Sequence, residues 1–86
     1  MMLNEFKKYN FYDSVKLSNK LLVYGKKIDK ISIKDLKSPK TLILLEEAKD
    51  YLYLYKEKVP DDFKPKIEFC PEDLENKINN IEELLK

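Results

Sequence analysis

The segment from Ser38 to Val59 constrains the fold most, because its ends and its apolar spacing both specify one long helix. Ser38 can accept a hydrogen bond from a free amide of the first turn, and Pro39 at the first helical position gives up only a donor that would have no partner. Pro60 cannot continue the helical hydrogen-bond ladder and disfavours helical geometry at Val59. We therefore predict a helix over about residues 39–59.

One side of this helix is a continuous apolar face. At about 100° per residue, an arc of about 120° holds no charged side chain. The residues on this arc are Leu44, Leu45, Ala48, Tyr51, Leu52, Tyr55 and Val59. This pattern predicts an amphipathic helix packed on a core.

The other side of the same helix carries apolar residues among acids, including Glu47. Either another part of the chain covers these apolar side chains, or a second protein does. Apolar and tyrosine anchors inside a charged rim are typical of protein interfaces. The predicted partner-binding residues are Leu42, Ile43, Tyr53, Leu54, Glu46, Asp50 and Glu57.

A second helix is predicted over about residues 71–86. Pro71 can open it, and acids in its first turn favour the positive end of the helix dipole. Its apolar stripe is narrow and consists of Leu74, Ile78, Ile81 and Leu85. We expect the stripe to pack against the 39–59 helix, with self-association through it as the alternative.

The remaining segments favour short strands. Ser18 and Asn19 compete with the backbone for hydrogen bonds, so we expect them to form a turn between two strands. Residues 30–34 and 66–69 alternate between apolar and polar side chains. The predicted fold class is α+β, with two main helices (about 39–59 and 71–86) packed on a small antiparallel sheet from residues 14–34 and 66–69.

An all-α helical bundle is the alternative fold. In that case residues 14–24 form a helix that Gly25 closes with a left-handed cap. A short helix is also expected over residues 3–10.

Length and composition predict one small globular domain spanning residues 1–86. The single cysteine, Cys70, cannot form a disulfide within the chain, which is typical of a reducing compartment. No apolar run is long enough to cross a bilayer, and there is no cleavable signal. We therefore expect a cytoplasmic protein with no membrane partner.

The composition argues against enzymatic chemistry. The chain has no histidine, which is the commonest general base and metal ligand, and its one glycine excludes glycine-rich phosphate loops. The acidic groups at residues 46–50, 61–62 and 72–73 are interpreted as solvated surface. We predict no catalytic residue, no metal site and no cofactor.

Lysine is the only basic residue, and it is concentrated in the first half of the chain. Residues 1–40 hold ten lysines against four acids, whereas residues 41–86 hold seven lysines against twelve acids. A lysine-rich segment can lie along a phosphate backbone, although the absence of arginine removes the commonest specific contact to guanine. The candidate nucleic-acid-binding residues are Lys20, Lys26, Lys27, Lys30 and Lys34.

From these observations we predict a non-enzymatic protein–protein interaction module. A small regulator, inhibitor or adaptor encoded by a bacterium or phage would fit the size and composition, with another protein as partner and a homodimer as one possible arrangement. The alternative is a nucleic-acid-binding accessory protein that uses the lysine-rich segment over residues 20–40.

Overall fold

The computed structural model describes residues 8–86, which form three α-helices joined by short connections. Helix α1 is Phe11–Asp29, α2 is Pro39–Lys58 and α3 is Pro71–Leu85. Short 3-10 turns lie at Ile33–Asp35 and Lys64–Lys66. Within residues 8–86 there is no strand, so the fold is an all-α bundle.

The predicted α+β fold, with its antiparallel sheet from residues 14–34 and 66–69, is therefore wrong, and the all-α alternative is correct. Helix α1 runs through residues 14–29 because its small polar side chains are satisfied inside the helix. Ser14 Oγ donates to the carbonyl of Asn10 (2.9 Å), and Ser18 Oγ donates to the carbonyl of Val15 (2.8 Å). The competition between serine and the backbone is thus resolved within the helix rather than in a turn.

The other predicted strand residues also lack a sheet. Ile33 is 88% exposed while Ile31 is partly buried, so the two side chains do not share a covered face. Residue Ile67 is buried, but it follows the Lys64–Lys66 turn and leads directly into α3. Alternation over four or five residues is too short a signal to require strand pairing.

Gly25 does not end a helix. It lies inside α1, and no residue among those described has the left-handed backbone conformation of such a cap. Asn10 instead caps the start of α1 by accepting a hydrogen bond from the Asp13 amide (2.8 Å). Residues 8–10 are not helical, and the rest of the short helix expected over residues 3–10 lies outside the described residues.

The boundaries of α2 confirm the prediction. Ser38 Oγ accepts from the Thr41 amide (3.3 Å), Pro39 is the first helical residue, and the backbone is extended at Val59. The start of α3 at Pro71 is also confirmed. Local capping chemistry was sufficient to locate these two helices.

A single apolar core lies between the three helices. It buries the predicted face of α2, and Leu74 and Ile78 of the α3 stripe are buried in it as well. The fully or nearly buried apolar residues are Leu17, Leu21, Tyr24, Ile28, Leu45, Ala48, Leu52, Tyr55, Val59, Ile67, Leu74 and Ile78. The α3 stripe therefore packs within the chain, as predicted.

An aromatic contact and three ion pairs show how the helices are arranged around this core. Tyr24 stacks on Tyr51 with ring centroids 5.7 Å apart, which joins α1 to α2. Lys56 pairs with Glu75 (2.7 Å) and Lys49 pairs with Glu82, so α3 runs antiparallel to α2. The ion pair Lys77–Asp29 (2.8 Å) joins α3 to α1.

Candidate functional site

Two surfaces carry the predicted site residues, and the first is a lysine surface on α1 and the connection to α2. We define the lysine surface as Lys20, Lys26, Lys27, Lys30, Lys34, Lys37 and Lys40. All seven side chains are exposed, and none has a carboxylate of the described residues within 4.0 Å. This positive charge is therefore not neutralised by ion pairs within residues 8–86.

Three of the seven lysines line one groove at an end of the bundle, whereas Lys20 and Lys26 border other grooves. Lys27 and Lys30, at the end of α1, and Lys40, in the first turn of α2, border a shallow groove of about 310 Å³. Among residues 8–86, Asp35 supplies the only carboxylate in the lining of this groove. The fold thus gathers cationic groups that are up to thirteen residues apart in the sequence.

The aromatic rings next to these lysines are covered by other side chains. Lys20 Nζ lies 4.4 Å from the centroid of Tyr51, and Lys27 Nζ lies 5.9 Å from that of Tyr24. These are cation–π distances, so the rings help to position the ammonium groups. Because Tyr24 and Tyr51 stack on each other, their faces are used within the bundle.

The second surface is the outer face of α2, where sequence reasoning placed a protein-binding site. Leu42, Ile43 and Tyr53 are 48%, 58% and 64% exposed. Leu54 differs from them, because it is partly buried and packs against the core. Other parts of the described chain therefore cover Leu54 in part and leave the first three residues largely open to solvent.

The apolar residues of this face do not form one continuous patch. Leu42 and Tyr53 are eleven residues apart, which is about 16 Å along a helix. The exposed side chains of Glu46 and Asp50 lie between them on the same side. The face consequently alternates apolar and acidic groups.

The lysine surface and the outer face of α2 lie on different sides of the molecule. The contact residue Tyr51 faces α1, whereas Leu42, Glu46 and Tyr53 lie about 140–180° around the helix from it. The fold therefore separates the basic surface of α1 from the acidic surface of α2, a point that charge counting along the sequence left open.

One lysine of α1 is missing from the predicted nucleic-acid-binding set. Lys16 is exposed, lies four residues before Lys20 on the same side of α1, and has its Nζ 5.3 Å from the centroid of the Tyr12 ring. The predicted sheet over residues 14–34 concealed this proximity of Lys16 and Lys20. Reading the segment with helical spacing would have revealed it.

The acids and the cysteine are in exposed positions. Asp61, Asp62, Glu72 and Asp73 are solvent-exposed, and Lys64 pairs with Asp61 (2.9 Å), which lowers the pKa of that carboxyl. Cys70 Sγ donates to Glu72 Oε2 (3.3 Å). Within residues 8–86, no three His, Cys, Asp or Glu side chains are grouped so that they could hold a metal ion.

Burial and hydrogen bonds raise three pKa values in the bundle. Burial raises the pKa of Tyr24, and the hydrogen bond that its hydroxyl donates to Glu47 (3.2 Å) raises it further. Burial also raises the pKa of Tyr55, with the nearby Cys70 and Glu72 adding to the effect. The hydrogen bond to Glu82 raises the pKa of Lys49.

Comparisons with known proteins give no relative for this chain. No protein-family model matches it, and neither a curated protein nor a solved structure resembles it closely enough to count as a match. Among residues 8–86, no helix has the length and apolar character needed to cross a membrane. Functional inference therefore depends on the surfaces described above.

Proposed function

We propose that this protein binds nucleic acid through the lysine surface, by contacts to the phosphate backbone that do not depend on base sequence. The observation that carries the proposal is the set of seven exposed lysines without a carboxylate partner among the described residues. Lysines elsewhere, such as Lys49, Lys56 and Lys77, are engaged in ion pairs between helices. Unpaired cations can displace the counterions of a polyanion when they bind it.

The side chains present favour phosphate contacts over reading of bases. Lysine presents a point charge, whereas specific contacts to guanine most often use the forked guanidinium of arginine, which this chain lacks. Single strands are usually held by stacking of bases on exposed aromatic rings. Since Tyr24 and Tyr51 stack on each other beside the lysines, we expect a duplex backbone to be preferred.

The test is fluorescence anisotropy with a labelled DNA duplex of arbitrary sequence, titrated with the protein at several salt concentrations. If all seven lysines contact phosphates, the slope of log affinity against log salt is about −6. Affinity should then fall by about 10³-fold or more between about 50 mM and about 200 mM salt. Absence of binding at the lowest salt would refute the proposal.

A matched pair of double variants locates the site. Lys26→Glu with Lys30→Glu reverses charge on the lysine surface, and Lys66→Glu with Lys86→Glu makes the same change in net charge outside it. We expect the Lys26/Lys30 double variant to bind the duplex about tenfold or more weakly, and the Lys66/Lys86 double variant to lose much less affinity. Equal losses of duplex affinity in the two double variants would mean that the net charge of the protein, and not the lysine surface, governs binding.

A second candidate function is the protein–protein interaction module predicted from the sequence. The exposure of Leu42, Ile43 and Tyr53 supports it, because large apolar side chains inside a charged rim are typical of interface anchors. It ranks second because the acids divide the apolar area and Leu54 packs against the core of the chain itself. Loss of binding to a captured partner on Ile43→Asp, with an unchanged circular dichroism spectrum, would support it.

A further inference from the structure

Two exposed helix stripes carry the same pattern with opposite charge. The basic stripe on α1 consists of Tyr12, Lys16, Lys20, Val23 and Lys27. The acidic stripe on α2 consists of Leu42, Glu46, Asp50, Tyr53 and Glu57. Both follow the spacing i, i+4, i+8, i+11 and i+15, so each covers an arc of about 80° and a length of about 22 Å.

All ten side chains of these stripes are exposed. The lysines of the basic stripe have no carboxylate of the described residues within 4.0 Å, and neither Asp50 nor Glu57 has a lysine so placed. Only Glu46 has such a neighbour, with its Oε2 4.0 Å from Lys49 Nζ. The charges of both stripes are thus free to pair with a partner.

We propose that the acidic stripe of one copy binds the basic stripe of a second copy, with the two helices parallel. In this register Tyr12 is level with Leu42 and Val23 is level with Tyr53, while each lysine is level with an acid. The pairs at equal height are Tyr12–Leu42, Lys16–Glu46, Lys20–Asp50, Val23–Tyr53 and Lys27–Glu57. An antiparallel arrangement would instead place Lys27 opposite Leu42 and Tyr12 opposite Glu57, which loses the match.

The contact is heterologous, because it joins two different surfaces. The acidic stripe lies on the side of α2 turned away from Tyr51 and therefore away from α1 of the same copy. Each copy in a pair thus retains one unused stripe, which is the basic stripe on one copy and the acidic stripe on the other. Heterologous contacts of this kind grow into rings or open chains rather than stopping at a dimer.

The interaction should be weak and sensitive to salt, since exposed ion pairs are screened by ions. This inference does not rest on nucleic-acid binding, although Lys20 and Lys27 belong to both surfaces. A duplex that occupies these lysines would compete with the second copy. Adding duplex should therefore dissociate the assembly.

The first test is sedimentation velocity of the full chain over a concentration series at low and at high salt. We expect the average mass to rise with protein concentration at low salt, beyond that of a dimer, and to return to the monomer at high salt. A monomer at every concentration at low salt would overturn the proposal without any variant. Duplex binding is measured separately, so failure of one proposal is distinguishable from failure of the other.

Charge-reversed variants test the register. One variant carries Lys16→Glu, Lys20→Glu and Lys27→Glu, and the other carries Glu46→Lys, Asp50→Lys and Glu57→Lys. Each alone has two stripes of the same sign, so each should be monomeric at low salt. Mixed in equal amounts, the two should associate again, since each supplies the charge that the other lacks.

The control variant carries Lys34→Glu, Lys37→Glu and Lys66→Glu, which reverses three exposed lysines that lie off the stripe. It has the same net charge as the first triple variant and should still assemble at low salt. Circular dichroism confirms that each variant keeps its helical content. Loss of assembly in the control, or failure of the two triple variants to associate when mixed, would overturn the proposed register.

Discussion

The residue with the most unusual environment is Tyr55, in the centre of the core. Its side chain is 1% exposed, and its ring packs edge-on against Phe69 with centroids 5.0 Å apart. The hydroxyl is buried and has no hydrogen-bond partner within the described residues. A buried polar group without a partner loses its hydration and gains nothing in return.

Replacing Tyr55 with phenylalanine should therefore stabilise the protein. Removing the unpaired hydroxyl while keeping the ring is expected to raise the free energy of unfolding by about 1 kcal/mol. Tyr24→Phe is the matched control, because the Tyr24 hydroxyl does donate to Glu47, and that variant should lose about 0.5–1.5 kcal/mol. Urea unfolding followed by circular dichroism measures both, and destabilisation by Tyr55→Phe would show that the hydroxyl is satisfied in solution.

At the scale of the element, α1 carries small residues along one buried side. Ser14 and Ser18 are buried on this side, and Gly25 follows on the same side beside Leu74 and Lys77 of α3. The absence of a side chain at Gly25 lets α1 and α3 come close together, while the internal hydrogen bonds of the two serines keep the helix intact. The helix thus tolerates residues that are poor helix formers by intrinsic propensity.

Gly25→Ala is expected to raise the free energy of unfolding by about 1 kcal/mol, because glycine in a helix interior costs about that much relative to alanine. The added Cβ would lie 3.7 Å from Lys77 Nζ and 3.9 Å from Leu74 Cδ1, which are ordinary contact distances. Gly25→Leu is the contrasting variant, since a large side chain would push α1 and α3 apart. In thermal unfolding, the Tm should be highest for the alanine variant, intermediate for the unchanged protein and lowest for the leucine variant. A Tm of the alanine variant below that of the unchanged protein would contradict this packing of Gly25 beside α3.

The described part of the chain is a bundle with a basic surface on α1 and an acidic face on α2. Three ion pairs hold α3 to its neighbours, and they involve Lys49, Lys56 and Lys77. Exposed pairs of this kind contribute about 0–1 kcal/mol each, so the apolar core provides most of the stability. The unpaired lysines of α1 remain available for an external polyanion or for the acidic stripe of another copy.

Stability of the bundle should fall at alkaline pH. The folded protein holds the protons of Tyr24, Tyr55 and Lys49 more tightly than the unfolded chain, whose pKa values are near 10.0 for tyrosine and 10.5 for lysine. Their contribution is fully present below those pKa values and is lost as pH rises through the raised ones. Thermal unfolding should show a constant Tm between about pH 7 and 9 and a decline above about pH 10. A Tm that stays constant or rises there would contradict these pKa directions.

Local chemistry determined α2 and α3 from the sequence alone. The ends of these helices are set by Ser38 with Pro39, by Pro60 after Val59, and by Pro71. Each of these residues affects the backbone only a few residues away, so its effect can be predicted without knowing the tertiary structure. The same is true of the apolar face of α2 and of the concentration of lysines in the first half of the chain. Five lysines of the lysine surface were therefore predicted by name, and Lys37 and Lys40 lie in the same predicted segment over residues 20–40. Lys16 was missed, because placing it beside Lys20 depends on recognising α1 as a helix.

Only the tertiary structure determined that residues 11–29 form a helix and how far the apolar residues on the outer face of α2 are exposed. Ser18 and Gly25 favour other conformations locally, and they are helical here because burial in the bundle outweighs intrinsic propensities of about 1 kcal/mol or less per residue. Whether Ile43 and Leu54 are covered likewise depends on which elements come to lie beside them. Burial is a property of the assembled bundle, whereas capping and periodicity are properties of the chain, and that difference sets what the sequence could show.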